Sequence, residues 1–144
     1  METPTDLTFN RGLIADPEAL ARDAAAASWL YLCGKQFAEV EGGMSYDDVQ
    51  AAVPESANVV SDPPTVLDTD LARKQLAALE QLPRPTLVTC RTGPRSSALV
   101  YLYSGLKAGA TADEVLARAE ADDAPFTHSE ELKAWVAQNL DELS

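Results

Sequence analysis

Two hydrophobic periods alternate along the chain. Trp29 to Cys33 is a continuous apolar run stopped by Gly34, short enough to read as a strand buried on both faces. Leu87 and Val88 form a second short β run, and Pro83 and Pro85 keep helix out of the residues before it. Weaker strand candidates are Leu7 to Asn10, Leu13 to Ala15, and Asn58 to Ser61, which ends at Asp62-Pro63-Pro64. Between these stretches the apolar residues take helical spacing. Asp16-Pro17 opens a helix to about Ala27, an N-cap followed by proline at the first helical position. Gly34 to Gly43 reads as a long loop, and Ser45 with Asp48 as an imperfect capping box for a short helix ending before Pro54. Asp68-Thr69 opens a helix with Leu71, Leu76, Leu79 and Leu82 on its apolar face. From Ser96 onward Leu99, Val100, Leu102, Tyr103 and Leu106 repeat helically, with Gly109 as the stop. Thr111 and Glu114 make a capping box for a helix to about Ala121. The last helix starts from Thr127 or Ser129 and carries Leu132, Trp135, Val136 and Leu140.

Strands that alternate with helices at this interval predict βαβ units. The expected architecture is α/β: one three-layer domain over residues 1–144, with a short, mostly parallel sheet flanked by helices. There is no internal repeat and no linker. Trp135 is expected in the core, and the single histidine, His128, in a turn or near a helix start.

Composition narrows the function. A chain of 144 residues with 46% hydrophobic and 24% charged residues has enough apolar mass for a real core. A net charge of −12 argues against nucleic acid and against anionic membrane surfaces as partners. Two cysteines, Cys33 and Cys90, are too few for a disulfide framework and are not spaced as a metal clip, so neither metal nor cofactor is expected. With no basic segment or apolar run near Met1, no signal peptide is expected, and a reducing, cytoplasmic location fits. No protein partner is indicated.

The chemistry gathers in Cys90-Arg91-Thr92-Gly93-Pro94-Arg95-Ser96, which joins a strand to a helix at the carboxyl end of the sheet, where ligands bind in such folds. Backbone N–H groups of such a loop converge on one point and the helix adds its positive end, so the loop is an anion cradle. A cysteine placed there is expected to ionise easily and act as a nucleophile. Arg95 offers a planar fork to an anion, and Ser96 either helps the thiolate leave or caps the helix. Arg91 either shapes the pocket's field or points to solvent. Lys35 and Glu39, on the loop after the first clear strand, have the length to reach the pocket mouth. Cys33 either acts as a resolving thiol for Cys90 or is simply buried.

This loop resembles the active-site loop of the beta-lactamase-hydrolase-like protein phosphatase-like family, whose members have the dual-specificity tyrosine phosphatase fold and are often labelled sulfurtransferases. The resemblance runs from about residue 16 to 121 and leaves 122–144 as a C-terminal helix. It takes in the strand ending at Cys33, the Glu41-Gly-Gly-Met-Ser45 segment and the helix after Thr111. It implies a tyrosine phosphatase-like fold and a covalent cysteine. Three departures from tyrosine phosphatases stand out. Four residues rather than five separate Cys90 from Arg95, Thr89 stands where those enzymes usually have histidine, and Pro94 has no N–H to offer.

Three functions follow. In the first, Cys90 takes the outer sulfur of thiosulfate or a persulfide and holds it as a persulfide, with Arg95 and the N–H groups of Thr92, Gly93 and Arg95 on the anion. A shorter cradle suits this smaller group, and it is the main expectation from the sequence. In the second, Cys90 hydrolyses a phosphate ester through a phosphocysteine, with Asp62 as the acid and Asp68 as a less apt alternative that more simply caps a helix. In the third, the chain binds a small anion or a partner without catalysis.

Overall fold

The computed structural model describes residues 1–144. Four parallel strands form one sheet: β1 (Leu7–Phe9), β2 (Ser28–Tyr31), β3 (Glu55–Asn58) and β4 (Thr86–Thr89), in the order β1-β4-β2-β3. The two central strands, β2 and β4, are buried at every position, and their polar ends are paired: Ser28 with Thr86 at 2.8 Å, and Thr89 with the Trp29 indole. Six helices complete the chain: α1 (Pro17–Asp23), α2 (Tyr46–Ala52), α3 (Thr69–Gln81), α4 (Pro94–Ala108), α5 (Ala112–Ala121) and α6 (Glu130–Leu143). Short 3₁₀ turns lie at Lys35–Glu39 and Pro125–His128. No helix is long and apolar enough to cross a membrane.

Residues aligned across a parallel pair share a face of the sheet. Leu30 aligns with Val88 and Val88 with Phe9. Phe9 packs on Tyr101 of α4, with ring centroids 6.2 Å apart, so this face meets α4. Tyr31, one position out of phase with Leu30, stacks at 6.2 Å on Tyr46 of α2 and so faces the other layer. The three layers are therefore α1 and α2, the sheet, and a group built on α4, which packs against α3, α5 and α6. Trp135 is buried there, its indole N–H donating to the Asp68 carbonyl at 2.9 Å.

Several boundaries differ from the sequence expectation. The third strand lies earlier, at Glu55–Asn58 rather than 58–61. The backbone still follows β2 past the strand, since Val59 N–H donates to Tyr31 O and Ser61 N–H to Leu32 O. The apolar Val59-Val60 pair thus marks the strand's exit, not its centre. Leu13 to Ala15 forms no strand and Leu13 is exposed. The 34–43 loop contains the 3₁₀ turn around buried Phe37. The Ser45 box closes fully, because the shorter Asp48 carboxylate still reaches Ser45 N–H at 2.9 Å. Helix α4 begins at Pro94 rather than Ser96: proline suits the first helical position, and Gly93 becomes the N-cap. Ser129 caps α6, and His128 sits in the turn just before it.

Candidate active site

Strand β4 delivers Cys90 into the mouth of α4. The Cys90 sulfur accepts the Gly93 N–H at 3.1 Å and the Ser96 N–H at 3.4 Å, and the Ser96 hydroxyl lies 3.4 Å away. These donors sit at the start of a 15-residue helix, where the aligned peptide dipoles also favour negative charge. Gly93 is obligatory. Its φ is +116°, and a Cβ there would stand 2.2 Å from the Asn10 carbonyl oxygen. The N–H groups of Thr92 and Arg95 do not bond the sulfur.

A pocket of about 140 Å³ opens at the sulfur, lined by Asp62, Pro63, Cys90, Arg91, Thr92, Pro94 and Arg95. Arg95 makes no salt bridge, and its Nε is buried without a hydrogen-bond partner. A buried guanidinium N–H is costly to leave unpaired, and an anion above Cys90 would satisfy it. Asp62, buried on the loop after β3, uses both oxygens: Oδ1 accepts the Gly34 N–H at 3.0 Å, and Oδ2 accepts from Arg91 Nε and Nη2, both at 3.3 Å. The Arg91 guanidinium also lies 5.1 Å from the centre of the Phe37 ring. Arg91 therefore belongs to the pocket wall.

No family model matches the chain, and no curated protein matches it. Solved structures do. A mutant form of Tk-PTP superposes with a TM-score of 0.77 at 15% identity, over 99% of this chain and 95% of that one. The core catalytic domain of the PP-IP phosphatase Siw14 from S. cerevisiae, in complex with citrate, gives 0.63 at 13% identity, over 96% of this chain and 80% of that one. PTPMT1 in complex with PI(5)P gives 0.58 at 16% identity, over 95% of each chain. The fold is the tyrosine phosphatase-like fold. The family resemblance of the Cys90 loop thus stands at the level of fold, and its sulfurtransferase label has no support from these neighbours.

Within this phosphatase-like fold, Cys90, Asp62, Arg91, Thr92, Gly93, Pro94, Arg95 and Ser96 all come to one place, the end of β4. The remaining candidates stand apart from the pocket or take their simpler role. Asp68 caps α3 through Leu71 N–H at 2.8 Å and is absent from the pocket. Lys35 lines a separate cavity with Tyr31, Cys33 and Tyr46, and neither Lys35 nor Glu39 lines the Cys90 pocket. Ser96 is in the first turn of α4, so it is not the N-cap. Thr89, in place of the usual histidine, accepts the Trp29 indole N–H at 2.8 Å. Cys33 is free and buried; burial, then the neighbouring Cys90 and Asp62, push its thiol up to about 12. No group of three or more His, Cys, Asp or Glu side chains is placed to hold a metal ion.

Asn10, Gly34 and Phe37 touch the pocket residues, and no sequence motif singles them out. Asn10 is buried at the end of β1, and its Oδ1 accepts both the Cys90 N–H (3.2 Å) and the Ser96 hydroxyl (3.0 Å). Its amide N–H₂ donates to Cys90 O at 2.9 Å and to Gly12 O at 2.9 Å. The one available signal was its place directly after a strand, at the ligand-binding edge of a parallel sheet.

Proposed function

We propose that this chain hydrolyses phosphate monoesters through a phosphocysteine on Cys90. The observation that carries the reading is that Asp62 lines the same pocket as Cys90 and Arg95. A leaving ester oxygen needs a proton, and a carboxyl group within reach supplies it. Transfer of a sulfane sulfur expels sulfite or a thiolate and has no use for an acid; there a pocket carboxylate would only repel the substrate.

The proposed steps are these. The phosphoryl oxygens take the N–H groups now turned to the sulfur, and the unpaired Arg95 guanidinium. The Cys90 thiolate attacks phosphorus as the ester P–O bond breaks. Asp62 Oδ1 keeps the Gly34 N–H; as Arg91 turns from Oδ2 to the incoming anion, Oδ2 takes up a proton from solvent and then gives it to the departing oxygen. Water then attacks the phosphocysteine and yields its proton to Asp62. The S–P bond breaks and the electron pair returns to sulfur beside the Ser96 hydroxyl. The small anions in the Siw14 and PTPMT1 complexes, citrate and PI(5)P, are compatible with a substrate of this charge.

A second reading, sulfur transfer, is favoured by one feature. Pro94 at the first position of α4 withholds an N–H from the cradle, which costs a phosphoryl group with three oxygens more than a single sulfur. One experiment covers both readings: the protein and its Cys90→Ser variant are given an aryl phosphate and, separately, thiosulfate. Cys90-dependent phosphate release supports hydrolysis. A sulfur adduct on Cys90 without phosphate release replaces it with sulfur transfer.

A further inference from the structure

The Ser96 hydroxyl has one proton and three acceptors around it: Asn10 Oδ1 at 3.0 Å, Gly93 O at 3.1 Å and the Cys90 sulfur at 3.4 Å. It can serve one well at a time. We propose that Asn10 is a positioning residue that decides which acceptor the Ser96 hydroxyl serves, drawing it from Cys90 while the sulfur is a nucleophile and releasing it when the sulfur must leave. This deepens the phosphatase reading and rests on it for the leaving step.

The geometry suits the role. Asn10 is buried, and it is anchored by its amide N–H₂ on the carbonyls of Cys90 and Gly12. The amide oxygen is thereby aimed at the loop interior, where it accepts Cys90 N–H and Ser96 O–H together. A thiolate that accepts one more hydrogen bond is stabilised and is a poorer nucleophile. With the hydroxyl drawn to Asn10, the resting sulfur keeps only the two backbone donors. In the second half of the reaction, as the S–P bond breaks, charge builds on sulfur and the hydroxyl rotates to it. No atom other than the hydroxyl proton changes place in that switch, and the water that completes the reaction is the only co-reactant.

The test reads sulfur nucleophilicity directly and needs no phosphatase turnover. Alkylation of Cys90 by iodoacetamide is followed at its alkaline plateau in the wild type, Asn10→Ala, Ser96→Ala and the double variant. The expected result is that Asn10→Ala slows alkylation about five-fold, the worth of one net hydrogen bond. In the Ser96→Ala background the same change has no effect, because no hydroxyl remains to redirect. Equal slowing in both backgrounds would show that Asn10 merely braces the loop. No slowing in either would show that the hydroxyl is not shared. Either result overturns the proposal. Asn10→Ser, which keeps a polar group at the buried position, repeats the comparison if Asn10→Ala does not fold. If alkylation behaves as expected and no phosphate ester turns over, the phosphatase reading fails alone.

Discussion

Asp62 Oδ2 lies 3.3 Å from both Nε and Nη2 of Arg91, across the mouth of the Cys90 pocket. The pair joins the loop after β3 to the nucleophile loop, and the Phe37 ring supports the guanidinium. It places the proposed acid at rest against a cation that the substrate's own charge competes for.

Removing that acid is predicted to hurt most where the leaving group is poor. Asp62→Asn should lower kcat/KM, which reports only the first, leaving-group step, by about 10²–10⁴-fold for an alkyl phosphate, the range of general acid catalysis, and far less for a nitrophenyl ester, whose oxygen leaves without a proton. Steady-state kinetics on the two ester types check this. Equal losses of kcat/KM on both would mean that Asp62 is not the acid.

Gly93 fixes the cradle's shape, and no side chain fits there. With φ at +116° and a Cβ placed 2.2 Å from the Asn10 carbonyl, Gly93→Ala is expected to destabilise the fold by about 1–3 kcal/mol or more and to abolish Cys90 reactivity. Thermal unfolding and thiol labelling read both effects. An active, equally stable variant would mean the loop is not held as described.

The two cysteines should separate cleanly by reactivity. The Cys33 thiol, pushed up to about 12, keeps its proton at neutral and mildly alkaline pH, so labelling at pH about 8 should map to Cys90 with Cys33 unmodified. The same shift has a stability consequence. An unfolded chain loses the Cys33 proton near the ordinary value of 9.0 while the folded chain holds it to about 12. The unfolded state therefore binds fewer protons in that window, and stability falls as pH rises from 9.0 towards 12. Cys33→Ala should flatten that fall in urea melts compared across pH.

What was legible in the sequence was what local pattern encodes. Leu87 and Val88 with the helical repeat after Ser96 located the Cys90 loop between a strand and a helix, and the prolines after Asp62 marked a stiff loop at a strand end. The start of α4 was misplaced because the helical repeat of large apolar residues begins later than the helix. Pro94 and Gly93, by contrast, satisfy the backbone at its entry. Asn10 was illegible because its role exists only through pairing. The register of Phe9 with Val88 brings it beside Cys90, 80 residues away in sequence. Lys35 failed for the complementary reason: the Gly34 turn sends the chain into a 3₁₀ segment, and the side chain goes to a neighbouring cavity.

A phosphoryl group carried on Cys90 would be caught by rapid acid quench of the protein with an aryl phosphate, followed by intact mass and peptide mapping. The expected result is a phosphoryl adduct on the Cys90 peptide that is absent from Cys90→Ser. It should accumulate further in Ser96→Ala, where the leaving sulfur lacks its hydroxyl. Phosphate release with no adduct, or turnover that persists in Cys90→Ser, would contradict it.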